Sequence, residues 1–130
     1  MIVLDTHVWI WWLHGNHPSF KASWQDAIAD ADEIGVAAIS CFEVAWLFRK
    51  KRVEVTYPMD KWFDAALDGS GVRLLPMSAA VAQIAVELPE HHRDPFDRMI
   101  IATALVNGAG LLSADGRFSE YKALEGRLVQ

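Results

Sequence analysis

Four short apolar runs, each separated from the next by segments with helical spacing, constrain this chain more than any other feature. They are Ile2 to Leu4, Gly35 to Ile39, Val72 to Leu75 and Leu111-Leu112. Runs of this length, bounded by turn residues, read as strands. Between them lie stretches long enough for helical crossovers. Val8 to His14 closes at Gly15, and Phe20, Trp24, Ala27, Ile28 and Ala31 mark an amphipathic helix between Phe20 and Asp32. Ser40-Cys41-Phe42-Glu43 has the form of a capping box, opening a helix that carries Val44, Trp46, Leu47 and Phe48. Met59, Trp62, Phe63, Ala66 and Leu67 fall at i, i+3, i+4, i+7 and i+8, ending at Gly69. A further helix starts at Ser78 and stops at Pro89, and the last opens at Asp94-Pro95 and runs to about Asn107. Alternating strands and helices predict a parallel sheet covered by helices on both faces, an α/β three-layer sandwich.

A length of 130 residues fits one domain, 1–130, without linker or repeat. At 52% hydrophobic and 22% charged the chain is expected to fold. No apolar run reaches the ~18 residues of a membrane span, and the first residues lack a basic leader, so no membrane role and a cytoplasmic location are expected. Cys41 is the only cysteine, which rules out an internal disulfide and a thiolate zinc cluster. Any metal here is therefore oxygen-bound, with or without histidine. Seventeen acidic against twelve basic residues give a net charge of −5, which argues mildly against gripping nucleic acid by overall field. Divalent ions held by converging acids reverse that argument locally, since two would return about four positive charges.

Position therefore matters more than total charge. In parallel α/β sheets, ligands bind beyond the carboxyl ends of the strands. Asp5 follows the first strand, Glu43 the second, Asp97 begins a helix and Asp115 follows Leu111-Leu112, so all four are candidates for the same sheet edge. Each also has an ordinary explanation. Asp5 can cap a helix, Glu43 and Asp97 stand three residues after Ser40 and Asp94 as capping partners, and Asp115 beside Gly116 suits a turn. Capping does not explain why four acids share one edge, where they repel one another without counter-ions. Carboxylates and water are what Mg²⁺ or Mn²⁺ accepts, and paired ions about 3.5–4 Å apart assist phosphodiester cleavage.

Val3-Leu4-Asp5-Thr6-His7, Ile39-Ser40-Cys41-Phe42-Glu43-Val44-Ala45, the stretch from His92 through Asp94 and Asp97 to Ala102, and Leu112-Ser113-Ala114-Asp115-Gly116-Arg117-Phe118 follow in order along nearly the whole chain. Together they resemble the PIN-domain ribonucleases, specifically the VapC-type toxins of bacterial toxin-antitoxin pairs. The resemblance implies that Asp5, Glu43 and Asp97 are catalytic metal ligands for one or two Mg²⁺ or Mn²⁺ ions, with Asp115 completing the acidic pocket. It places the catalytic acid at 97 rather than 94, leaving Asp94 as helix cap and, with Thr6 and Ser113, as support for the site. Ser113 stands where the family often has threonine. An RNA substrate, a cognate antitoxin and a homodimer are also implied.

Other residues leave alternatives open. Arg93 and Arg98 flank the acids and are candidates either for phosphate contact or for pairing with a neighbouring acid. Arg49-Lys50-Lys51-Arg52 is explained first by the dipole of the helix it ends, and second by RNA backbone. His91 and His92 are adjacent, so their side chains diverge, and a loop role is preferred to metal binding. Of six tryptophans most belong to the core, but Trp11, Trp12 and Trp46 cannot all face inward, and the surplus points to a partner. Two other functions fit the residues alone: an aspartate-based phosphotransferase using Asp5, and a non-catalytic protein-binding module.

Overall fold

The apolar runs become strands because their side chains are covered on both sides. The computed structural model describes residues 1–53, 58–91 and 93–130. Among these, β1 (Ile2–Leu4), β2 (Ile34–Ala37), β3 (Arg73–Leu75), β4 (Gly110–Leu112) and β5 (Leu128–Val129) form one sheet in the order β3-β2-β1-β4-β5. Every neighbouring pair is parallel, with Val3 opposite Gly35 on one side and Leu111 on the other. A Cβ on Gly35 would lie 2.8 Å from Leu75 Cδ1, so glycine lets β2 and β3 approach as they do.

Successive strand residues point to opposite faces. Leu4, Val36 and Leu112 pack with Val8, Trp9, Trp24, Val44 and Trp62. These come from α1 (Thr6–His14), α2 (Ala22–Asp30), α3 (Ala38–Arg49) and α4 (Met59–Phe63), the last continuing as a π-helical turn, Asp64–Gly69. Val3, Ala37 and Leu111 pack instead with Ile100, Ile101, Ala104 and Tyr121. That second layer is built on α5 (Ala79–Glu87), α6 (Pro95–Val106) and the 3₁₀ turns Gly116–Glu120 and Lys122–Leu124. The expected three-layer α/β sandwich is what forms. Trp9 and Trp24 are completely buried, and each such side chain stabilises the fold by about 1.5–3 kcal/mol or more.

Several boundaries differ from expectation. The Ser40–Glu43 capping box does not form: β2 passes directly into α3, whose N-cap is Ala37 without any side-chain cap. Ser40 is instead buried inside the helix, with a tertiary partner for its hydroxyl. The strand expected to reach Ile39 therefore stops at Ala37. The Phe20–Asp32 helix is confined to Ala22–Asp30, and β5 was not anticipated. Asp5, Ser78 and Asp94 do act as N-caps, accepting from the backbone N–H of Thr6, Val81 and Phe96 respectively. His92 lies outside the described residues. No helix among the described residues is long and apolar enough to cross a membrane.

Candidate active site

The chain leaves β1 toward β2 and leaves β4 toward β5, in opposite directions, so a crevice opens between their carboxyl ends. Asp5 is fixed at its floor. It is 6% exposed, its Oδ1 accepts from the Thr6 N–H at 2.6 Å, and its Oδ2 accepts from the Ser113 hydroxyl at 2.6 Å. Ser113 Oγ in turn accepts from the Asp115 N–H at 3.0 Å, tying the end of β4 to the end of β1. Asp5 is thus both helix cap and oriented carboxylate.

Thr6 carries the same framework toward α3. Its Oγ1 lies 2.7 Å from Glu43 Oε1 and 2.9 Å from Ser40 Oγ. A threonine hydroxyl has one proton, which goes to the carboxylate, so Ser40 is the donor into Thr6. Glu43 sits one turn into α3, at a position that the missing capping box had offered as a cap. Asp97 is at the third position of α6, one turn beyond its cap: Asp94 Oδ1 accepts from the Phe96 N–H at 2.9 Å, and Pro95 opens the helix. Asp115 caps the first 3₁₀ turn, accepting from the Arg117 N–H at 2.9 Å, with Arg117 Nε 3.5 Å away.

Asp5, Glu43, Asp94, Asp97 and Asp115 all line one cleft of about 520 Å³. His7, Trp11 and Arg117 also line it. None of the three was expected at the site: His7 and Arg117 stand two residues after Asp5 and Asp115 inside the motif runs, and Trp11, six after Asp5 on α1, reads from sequence only as one of the tryptophans surplus to the core. The two arginines proposed for phosphate go elsewhere. Arg98 spends its guanidinium on the C-terminal end of α5, donating from Nε to Ala85 O at 3.0 Å, from Nη1 to Pro89 O at 2.9 Å and from Nη2 to Leu88 O at 2.6 Å. Carbonyls in the last turn of a helix and just beyond it have no helical N–H to accept from, which explains the attraction. Arg93 shares a separate depression with Arg98, Val86 and Glu90. His91 lies in the turn before α6, with its ring edge-on to Tyr121 at 5.0 Å.

Electrostatics show that the acids share one field. Asp97 is pushed up to about 8, by desolvation first and then by the charges of Asp5, Asp94, Glu43 and Asp115. Burial also raises Asp5, against the hydrogen bonds from Ser113 and Thr6 that favour its charged form. Glu43 is raised by burial too, opposed by Thr6. Such a cluster resists full ionisation until a cation enters. Its donors are the hard oxygens that Mg²⁺ and Mn²⁺ prefer. Among the described residues no three Asp, Glu, His or Cys side chains close into a finished metal cage. An open cleft still suits Mg²⁺, which keeps several waters and takes only one or two carboxylates directly. The residues therefore fit such an ion.

Comparison with known proteins agrees with this geometry. The family model for the PIN domain matches residues 2–124. The chain is 38% identical over 123 residues to ribonuclease VapC22 of Mycobacterium tuberculosis, covering 93% of this chain and 92% of that protein. Among solved structures it resembles VapBC2 from Rickettsia felis bound to a promoter DNA fragment, with TM-score 0.70 and 18% identity over 99% of this chain and 98% of that one. It also resembles a toxin-antitoxin complex from Klebsiella pneumoniae, with TM-score 0.71 and 20% identity over 100% and 97% of the two chains. The structural likenesses speak for the fold, the family match and the mycobacterial relative for descent. With the acids of four separate segments converging where that fold places its cleft, the chain belongs to the PIN-domain family and is a VapC-type member of it.

Proposed function

We propose that this chain is the toxin of a toxin-antitoxin pair, an endoribonuclease that hydrolyses RNA phosphodiester bonds with the help of Mg²⁺ or Mn²⁺, and that residues 1–130 act as one nuclease unit. The observation that carries the reading is Asp97, a first-turn acid pushed up to about 8 by desolvation and four neighbouring carboxylates in a cleft open to solvent. A purely structural cap gains nothing from that company. The mycobacterial relative's name, ribonuclease, gives the reaction class.

Asp5, Glu43 and Asp97 would hold the ion, with Asp115 at the rim for a second ion or for contact through water. A divalent ion there supplies positive charge and Lewis acidity for hydrolysis at phosphorus. The chain's own residues do the positioning. Ser113 and the Thr6 N–H fix both oxygens of Asp5, Thr6 steers Glu43, and Asp94 fixes the start of the helix that presents Asp97. Arg117 stands at the cleft wall beside Asp115, a cation close to where an anionic substrate docks. An antitoxin would silence the enzyme by covering this cleft, and a second copy of the chain or the antitoxin would cover exposed Leu74, Met77 and Val86.

Incubating single-stranded RNA with the purified protein tests the reading. Cleavage in Mg²⁺ or Mn²⁺, lost in EDTA and restored by excess metal, is the expected result. Equal cleavage in EDTA refutes the metal's part, and no cleavage under any metal favours a protein-binding module.

A further inference from the structure

Beside the acidic cleft lies a second depression of about 480 Å³, and the two share His7, Glu43 and Asp94. Its remaining wall differs sharply in chemistry, being made by Trp46, Phe96 and Arg52 together with Leu47. Trp46 is 48% exposed and Phe42, stacked with it at an interplanar angle of 11°, is 55% exposed. Phe42 also touches the ring of Phe96, with centroids 5.5 Å apart, so α3 and the start of α6 present one aromatic wall. Lys50 Nζ lies 4.9 Å from the Trp46 ring centre, and Arg52 stands in the same depression.

Helical geometry makes this placement obligatory. Trp46 and Leu47 follow Glu43 at i+3 and i+4, so they emerge one turn, ~5.4 Å, further along the face that carries Glu43. A volume of about 480 Å³ is within the usual ~300–1,000 Å³ of sites for small organic groups. Exposed aromatic faces beside cations are the combination that binds unpaired bases and their backbone, the ring stacking on the base and the cation meeting phosphate. The basic end of α3 is more than a dipole complement: it places positive charge in the second depression, which Arg117 of the acidic cleft does not line.

We infer that this depression is a nucleotide subsite, in which an unpaired base next to the scissile phosphate stacks on Trp46 while Arg52 meets the adjoining phosphate. The inference rests on the ribonuclease reading above. It also gives the enzyme a demand for single-stranded or looped RNA, since a paired base cannot turn its face to Trp46.

The test uses the full chain and a short fluorescent single-stranded RNA of mixed sequence. Affinity is read by anisotropy on an Asp97→Asn background, and KM and kcat on otherwise wild-type protein. Trp46→Ala should weaken binding and raise KM by about 5- to 150-fold while kcat changes less than about two-fold, and Trp46→Phe should recover much of the loss. Arg52→Ala should lower the salt dependence of binding by about one phosphate contact. Oligonucleotides carrying one abasic position should bind Trp46→Ala and wild-type protein alike. Unchanged RNA binding and KM in Trp46→Ala, with RNA cleavage intact, overturns the subsite alone. So does a Trp46→Ala protein that loses self-association or antitoxin binding in sedimentation but keeps RNA affinity, which would assign the wall to a protein partner. If the unmodified protein neither cleaves nor binds RNA, the ribonuclease reading falls and the subsite with it.

Discussion

Asp97→Asn should make the metal-free protein more stable, and the gain should depend on pH in a way set by the cleft. The carboxyl titrates near 3.8 in an unfolded chain and is pushed up to about 8 in the folded one. Below about pH 4 it is protonated in both states and costs nothing. As pH rises from there toward 8, the unfolded chain releases the proton while the folded one retains it, so folding stability falls; above 8 both states are ionised and the penalty is constant. At 1.36 kcal/mol per pH unit, the ceiling at neutral pH is about 4 kcal/mol. Asp97 is only partly buried, and solvent screening reduces this to about 2 kcal/mol. For a chain of this size that corresponds to a rise in Tm of roughly 5–10 °C. Thermal unfolding of both proteins in EDTA, at several pH values between about 4 and 9, reads it out. The two should melt together at the acid end and separate progressively toward pH 8, the substituted protein being higher. A substitution that destabilises, or shifts Tm equally at every pH, refutes the reasoning.

Other expectations follow from the same contacts. Ser113→Ala removes the hydroxyl that orients Asp5 Oδ2 and should weaken Mn²⁺ affinity about 10- to 100-fold in a calorimetric titration while leaving the fold intact. Arg98→Ala should cost about 2–3 kcal/mol in urea unfolding, because the carbonyls at the end of α5 lose a charged donor, yet leave the salt dependence of RNA binding unchanged. Gly35→Val should destabilise by about 1–3 kcal/mol, since its Cβ meets Leu75 at 2.8 Å, with a lower Tm as the readout.

The sequence carries the layer architecture in plain form, because strands buried on both faces and helices with one apolar stripe leave unmistakable spacing. The edges of elements are another matter. Ser40 looks like a helix cap, and becomes a core residue only because Thr6 supplies a partner for its hydroxyl across the sheet edge. β5 is two residues long and has no period to recognise. The acids were legible as a group through the rule that parallel sheets bind at their carboxyl edge, and all of them line the cleft. The arginines were not, because the fate of Arg98 depends on where α5 ends in space rather than on its neighbours in sequence. His7 and Arg117 gave no signal of their own, being ordinary residue types beside more conspicuous acids, and Trp11 was legible only as one of three tryptophans that cannot all face inward. Trp46, seen as surplus to the core, is left exposed next to Glu43.

The central claim is that acids from four distant segments form one metal site that serves RNA hydrolysis. Its most direct test is a titration of Mn²⁺ into the wild-type and Asp97→Asn proteins, with the same preparations assayed on RNA across the titration. Cleavage that rises with metal occupancy in the wild type, and loss of both tight Mn²⁺ binding and cleavage in Asp97→Asn, is the result expected. Wild-type binding and full activity in Asp97→Asn, or cleavage that ignores Mn²⁺ altogether, would contradict it.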